Sequence, residues 1–111
     1  MVRSASNDRR PGTRYLVVGK ANIYANNAEY RAELVNVGSG GMLAFADDAL
    51  PLGERVDVQF LVQDYPLEVK VKGRVVHTAA VGLVGIGFLE EPEPLNEVLL
   101  WLEAGLLDCL S

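Results

Sequence analysis

The sequence predicts an all-β domain with a terminal helix: a six-stranded antiparallel β-barrel closed by a C-terminal α-helix. Between residues 15 and 89 apolar and polar residues alternate in short runs, the period of half-buried strands. Short connections rich in Gly, Asn, Asp and Pro separate the runs. Past Pro92 the spacing of apolar residues becomes helical.

Taken in order, Arg14 leads into Tyr15-Leu16-Val17-Val18 and on to Ala21-Asn22-Ile23-Tyr24, one long β-rich stretch with a bend expected at Gly19. Ala25-Asn26-Asn27-Ala28 is a hairpin turn, because Asn tolerates the left-handed conformation such turns require. Tyr30 to Val37 returns as a second strand. Gly38-Ser39-Gly40-Gly41 interrupts the pattern and Met42-Leu43-Ala44-Phe45 resumes it. Ala46 to Gly53, with Asp47, Asp48 and Pro51, is a loop; its paired acids have no third partner nearby and are not a metal site.

Val56, Val58, Phe60 and Val62 then mark a strand by their period of two. After the turn at Asp64-Tyr65-Pro66, Leu67, Val69, Val71, Gly73 and Val75 share one face, and Glu68, Lys70, Lys72 and Arg74 share the other. Val84 to Leu89 is the last strand, and its Gly85-Ile86-Gly87-Phe88 predicts a bend or a close backbone approach. In the helix, Leu95, Val98, Leu99, Leu102 and Leu106 line one face, with Pro94 in the first turn and Glu93 and Glu97 near the positive helix end. Leu100, Trp101 and Leu107 widen the apolar face; the helix is expected to plug the barrel, with Trp101 as a candidate anchor for a protein partner.

The 111 residues suffice for one core and not for two, and a composition half hydrophobic excludes a disordered chain. Residues 1–8 read as a flexible N-terminal arm and 9–111 as the domain. No apolar run approaches the roughly 20 residues of a membrane span, and the N-terminus lacks the apolar core of a signal peptide. The expectation is a soluble cytoplasmic protein without a membrane partner. Cys109 is the only cysteine and His77 the only histidine, so neither an intramolecular disulfide nor a zinc site can be built, and Cys109 reads as a small packing residue. Catalysis is not expected: Gly-Ser-Gly-Gly lacks the order of a nucleophile elbow, and no acid partner for His77 can be proposed.

The net charge of −5 is unevenly distributed. Through Lys20 the chain carries Arg3, Arg9, Arg10, Arg14 and Lys20 against Asp8 alone. An acidic protein with its positive charge confined to one end is a poor binder of long nucleic acid, which needs extended positive surface. A small anion held by a local cluster fits better. Asp8-Arg9-Arg10-Pro11-Gly12-Thr13-Arg14 is the candidate clamp: guanidinium forks suit phosphate oxygens and the O6/N7 edge of guanine. Asn36-Val37-Gly38-Ser39-Gly40-Gly41 is its candidate counterpart, with small residues and an amide able to approach a ligand closely.

On these two stretches the chain resembles the PilZ domain, the bacterial receptor module for cyclic di-GMP. Arg10-Pro11-Gly12-Thr13-Arg14 matches the family's RxxxR, extended by Arg9, and Asn36 and Gly41 match the ends of its (D/N)xSxxG. Gly85-Ile86-Gly87-Phe88 is similar to the family's late-strand G-x-x-F, and the Leu-rich tail to its closing helix. The family's serine position holds Gly38, with Ser39 one residue later; either Ser39 supplies the hydroxyl or that hydrogen bond is absent.

The resemblance implies that Arg10 and Arg14 clamp phosphates and the Hoogsteen edge of a guanine, while Arg9 adds charge or stacks on a base. It implies that Asn36 pairs with a second guanine, and that Gly41 supplies clearance. The ligand would be cyclic di-GMP, with no cofactor and no metal, and binding would fold the arm onto the barrel to signal to a downstream protein in biofilm or motility regulation. The protein would be a monomer or weak dimer. The alternative is an adaptor of the same fold that has lost the ligand and works through protein contacts in motility or secretion machinery.

Overall fold

Val56, Val58, Phe60 and Val62 put their side chains on one face of a strand, β5 (Arg55–Val62), and all four are buried. Val69, Val71 and Val75 do the same on β6 (Val69–Thr78), with Lys70, Lys72 and Arg74 facing solvent. These two strands pair antiparallel from Arg55↔Arg74 to Phe60↔Val69, so their apolar faces form one continuous wall. In the computed structural model, residues 14–79 and 82–110 are described, with the side chains of 106–110 excepted.

The remaining elements are β1 (Arg14–Leu16), β2 (Gly19–Ala25), β3 (Ala28–Gly38), β4 (Gly41–Ala46), β7 (Leu83–Phe88) and α1 (Glu93–Leu110). All pairings are antiparallel. β3 pairs with β2, β2 with β5, β5 with β6, β6 with β7, β7 with β4, and β4 with β3, which closes a six-stranded barrel. Closure leaves the six barrel strands without an open edge. β1 lies outside the ring, against the C-terminal end of β3.

The expected single stretch from Tyr15 to Tyr24 is therefore two strands, and the break lies at Val17-Val18, just before Gly19. The Val17 N–H still donates to Val35 O of β3 at 3.2 Å, whereas Val18 O accepts from Gln63 N–H at 2.8 Å. The chain changes neighbours there because β5 must enter the sheet beside β2. The hairpin that follows is as expected: Asn26 and Asn27 have φ of 51° and 66°, the pair of positive values that a two-residue hairpin turn demands.

The interior is filled by Ile23, Val37, Met42, Val58, Phe60, Val69, Val75, Val84 and Ile86, each almost fully buried. Phe60 stacks on Phe88 with centroids 6.4 Å apart and planes within 8°. Phe88, matched in the sequence to the family's G-x-x-F, thus packs against the core. Leu95, Val98 and Leu99 of α1 join that same core, and α1 packs against β6 and β1. Leu67, expected on the inner face of β6, precedes the strand and is half exposed. The glycines of β7 make the close approach their composition predicts: a Cβ on Gly85 would stand 3.2 Å from His77 Cβ, and one on Gly87 3.2 Å from Val76 Cγ1.

Candidate functional site

Period-two alternation along β3 would bury Ala32, Leu34 and then Asn36. The structure does not do this. Between Leu34↔Ala44 and Asn36↔Leu43 the β3–β4 register slips by one residue, leaving Val35 as a bulge. The bulge reverses the phase: Ala32 and Leu34 are buried before it, and Val37 after it. Asn36 and Gly38 are moved to the opposite face, where Asn36 is half-buried. Bulges near functional sites commonly re-aim a side chain in this way.

β1 brings the cation. It pairs with β3 through Arg14↔Gly38, Tyr15↔Val37 and Leu16↔Asn36. Arg14 and Asn36 are therefore diagonal neighbours on one face of the ladder, within reach of a long side chain. Arg14 Nη1 donates to Asn36 Oδ1 at 3.0 Å. The other terminal nitrogen, Nη2, lies 3.3 Å from where a Cβ on Gly41 would stand. That Cβ would also collide with the Ile86 carbonyl oxygen of β7 and sit 3.3 Å from Gly87 Cα. Glycine at 41 thus lets β4 lie close on β7 and keeps the corner clear for the guanidinium.

Three of the sequence-predicted site residues, Arg14, Asn36 and Gly41, meet at one corner of the rim. Gly38 is buried opposite Arg14, and Ser39 is half-buried at the bend between β3 and β4. Arg9 and Arg10 lie outside the described residues. Arg14 is exposed, and no carboxylate among the described residues pairs with it, so its charge remains available to an anion. No cluster of potential metal ligands occurs among the described residues. His77, considered above as a base, is exposed at the β6–β7 ladder opposite Gly85.

Sequence reasoning missed Val35 and the Ile86–Gly87 backbone. For Val35 a signal existed: the apolar spacing Ala32, Leu34, Val37 runs two and then three. For Ile86 and Gly87 the glycines predicted a close approach, but not that it would be made to Gly41, because that follows from pairing with a strand distant in sequence.

The interior is packed with apolar side chains, and the arginine–amide pair lies outside it, at the rim. The family model for the PilZ domain, a cyclic di-GMP-binding module family, matches residues 8–104, and the protein belongs to that family. The crystal structure of the PilZ domain of CeSA, from a cellulose-synthesizing bacterium, is similar with a TM-score of 0.61 at 11% identity, over 86% of this chain and 98% of that one. The Borreliella burgdorferi PlzA protein in complex with c-di-GMP is similar with a TM-score of 0.57 at 19% identity, over 80% of this chain and 38% of that one. At these identities the likeness is one of fold. No curated protein sequence matches significantly. No helix among the described residues is long and apolar enough to cross a membrane.

Proposed function

We propose that this chain is a cyclic di-GMP receptor in which residues 9–111 form the domain and the preceding stretch is its N-terminal arm. Arg9, Arg10 and Arg14 hold phosphates and guanine, Asn36 and Ser39 contribute polar contacts, and Gly38 and Gly41 leave the ligand room to approach. The single observation supporting this reading is the corner itself: the Arg14 guanidinium, 3.0 Å from Asn36 and beside Gly41, joins the two motifs into one surface. Arg10 is separated from Arg14 by Pro11-Gly12-Thr13, a connection in which Pro and Gly suit a turn toward the same ligand. PlzA, of similar fold, forms a complex with c-di-GMP, which supports the same ligand class here. The readout is a conformational change passed to a downstream protein in the cytoplasm, with Trp101 as a candidate contact. It is a binding event without a reaction.

Titration calorimetry with cyclic di-GMP tests this. Saturable heat at micromolar ligand, abolished by Arg10→Ala combined with Arg14→Ala, is the expected result. A second reading, the ligand-free adaptor, is favoured by one residue, Gly38 at the family's serine position. Absence of heat at tens of micromolar ligand would select it.

A further inference from the structure

Where the chain leaves β1 for β2, an apolar groove of about 460 Å³ opens on the outside of the barrel. Val18, Leu61 and Tyr65 form its sides, while Gly19 and the buried Val62 lie deeper. Val18 and Leu61 are 68% and 46% exposed. A single exposed Leu needs no account, but these side chains are grouped around one concavity. A ridge stands beside it. Tyr65 belongs to both, lining the groove and packing on Trp101 of α1 with ring centroids 5.1 Å apart. Leu95, Val98 and Leu99 of α1 are spent on the core, whereas Leu100 and Trp101 are 61% and 39% exposed. Leu16 and Leu67, two residues along the chain from Val18 and from Tyr65, add further exposed apolar surface.

The mouth of the groove carries charge of both signs. Lys20, Glu33 and Asp64 line it, all exposed, and none enters an ion pair among the described residues. Glu97, one helical turn before Trp101, is likewise exposed and outside any such pair. We propose that a second copy of this chain covers this surface, the Leu100–Trp101 ridge of each protomer lying in the groove of the other about a two-fold axis. A knob and a hole side by side on one surface suit an isologous pairing: the half-turn that seats one ridge seats the other, and the assembly closes at two. The charges favour the same occupant. A partner of one sign throughout sets like charge against either Lys20 or the acids Glu33 and Asp64, whereas a second copy offers Glu97 beside its ridge for Lys20. The dimer needs no ligand and so stands independently of the receptor reading. It does restrict that reading: Trp101 cannot lie between protomers and touch a downstream protein at once, so a partner that uses Trp101 must draw on the monomer.

Sedimentation velocity on the full chain without ligand, from about 1 to 200 µM, tests this. An interface of modest size should give a dimer with Kd on the order of 1–100 µM. Leu61→Lys alters the groove and Leu100→Glu the ridge; both positions are exposed, and thermal melts establish that the variants stay folded. Each alone should dimerise about tenfold or more weakly, since it sets a charge against apolar surface. Mixed, they should form a heterodimer tighter than either homodimer, because one groove and one ridge remain native and the altered pair joins Lys to Glu. Leu52→Glu, exposed three residues before the start of β5 and so at the end remote from Leu61, should dimerise like wild type. Trp101 is the only tryptophan, and its emission should shift to the red on dilution through the dimer Kd. Wild type that stays monomeric at the highest concentration would overturn the proposal and leave the surface to a different protein. Leu61→Lys dimerising as wild type would overturn it as well, by showing that the helices meet without the groove. A mixture no tighter than the single variants would refute the reciprocal packing.

Discussion

Gly41→Ala adds one methyl group at the point where β4, β7 and Arg14 meet. Two opposing terms set its effect. Gly41 does not have a positive φ, so alanine can adopt its backbone, and the lower entropy of the unfolded chain would stabilise by about 0.4–1 kcal/mol. Against this, the new Cβ collides with the Ile86 carbonyl oxygen, a backbone atom that cannot rotate aside, and presses on Gly87 Cα at 3.3 Å. Overpacking of this kind costs about 1–3 kcal/mol, and collision with backbone belongs in the upper half of that range. The collision wins, with a net loss of about 1–2.5 kcal/mol. In a domain of this size that lowers Tm by about 5–15 °C. Gly105→Ala supplies the internal control: nothing lies within 4 Å of its added Cβ, in the interior of α1, so helix propensity alone should raise stability by up to about 1 kcal/mol. Differential scanning calorimetry on both variants reads the contrast. A Gly41→Ala protein melting at or above wild type would refute the reasoning, for it would show that β4 can move off β7 without cost. Cyclic di-GMP affinity should fall together with stability, because the same methyl stands 3.3 Å from Arg14 Nη2.

Arg10→Ala and Arg14→Ala should each weaken cyclic di-GMP by roughly ten- to a hundredfold, from about 1.5–3 kcal/mol per charge-assisted hydrogen bond, and calorimetric binding like wild type by either would contradict the site. Gly38→Ser should keep or improve affinity if the family's serine position governs the interaction; a marked loss would mean that a side chain at 38 obstructs Arg14 opposite it. Leu95→Ala should cost about 2–5 kcal/mol in urea titrations, because Leu95 is fully buried where α1 meets the barrel core; a loss under about 1 kcal/mol would show α1 to be dispensable to that core.

What could be read without coordinates was whatever depends on local periodicity. The alternations of Val56 to Val62 and Val69 to Val75 record which face of each strand meets the core, and those faces are buried. Asn26-Asn27 was legible for a related reason, since only a turn needing two left-handed residues selects that pair so readily. The break at Val17-Val18 was not legible, because it is imposed by β5, whose pairing with β2 joins residues some forty positions apart along the chain, as in Gly19↔Val62. Leu67 was misassigned for the opposite reason: it continues the period of β6, but the chain is still completing the turn through Asp64, whose φ is 72°. At the candidate site the residue types were legible and their geometry was not. Arg14, Asn36 and Gly41 could be named from spacing, whereas their meeting depends on the β1–β3 register and on the approach of β7.

The position of Val35 ties the barrel to its site. A strand that kept strict alternation through this point would face a choice between burying an amide in an apolar interior and exposing Val37 in its place. Burying an amide without a hydrogen-bond partner costs about 1–3 kcal/mol by protein measurements, a large share of a small domain's stability. One inserted residue removes the conflict: Val37 goes inward, where it is fully buried, and Asn36 goes outward to the Arg14 guanidinium. The same displacement that completes the core also assembles the polar corner, so the two cannot be altered independently. β5 and β6 keep strict alternation where they pair with each other and form a plain wall there; β6 shifts register only past Val75, against β7, whereas the shift in β3 falls at the polar corner itself.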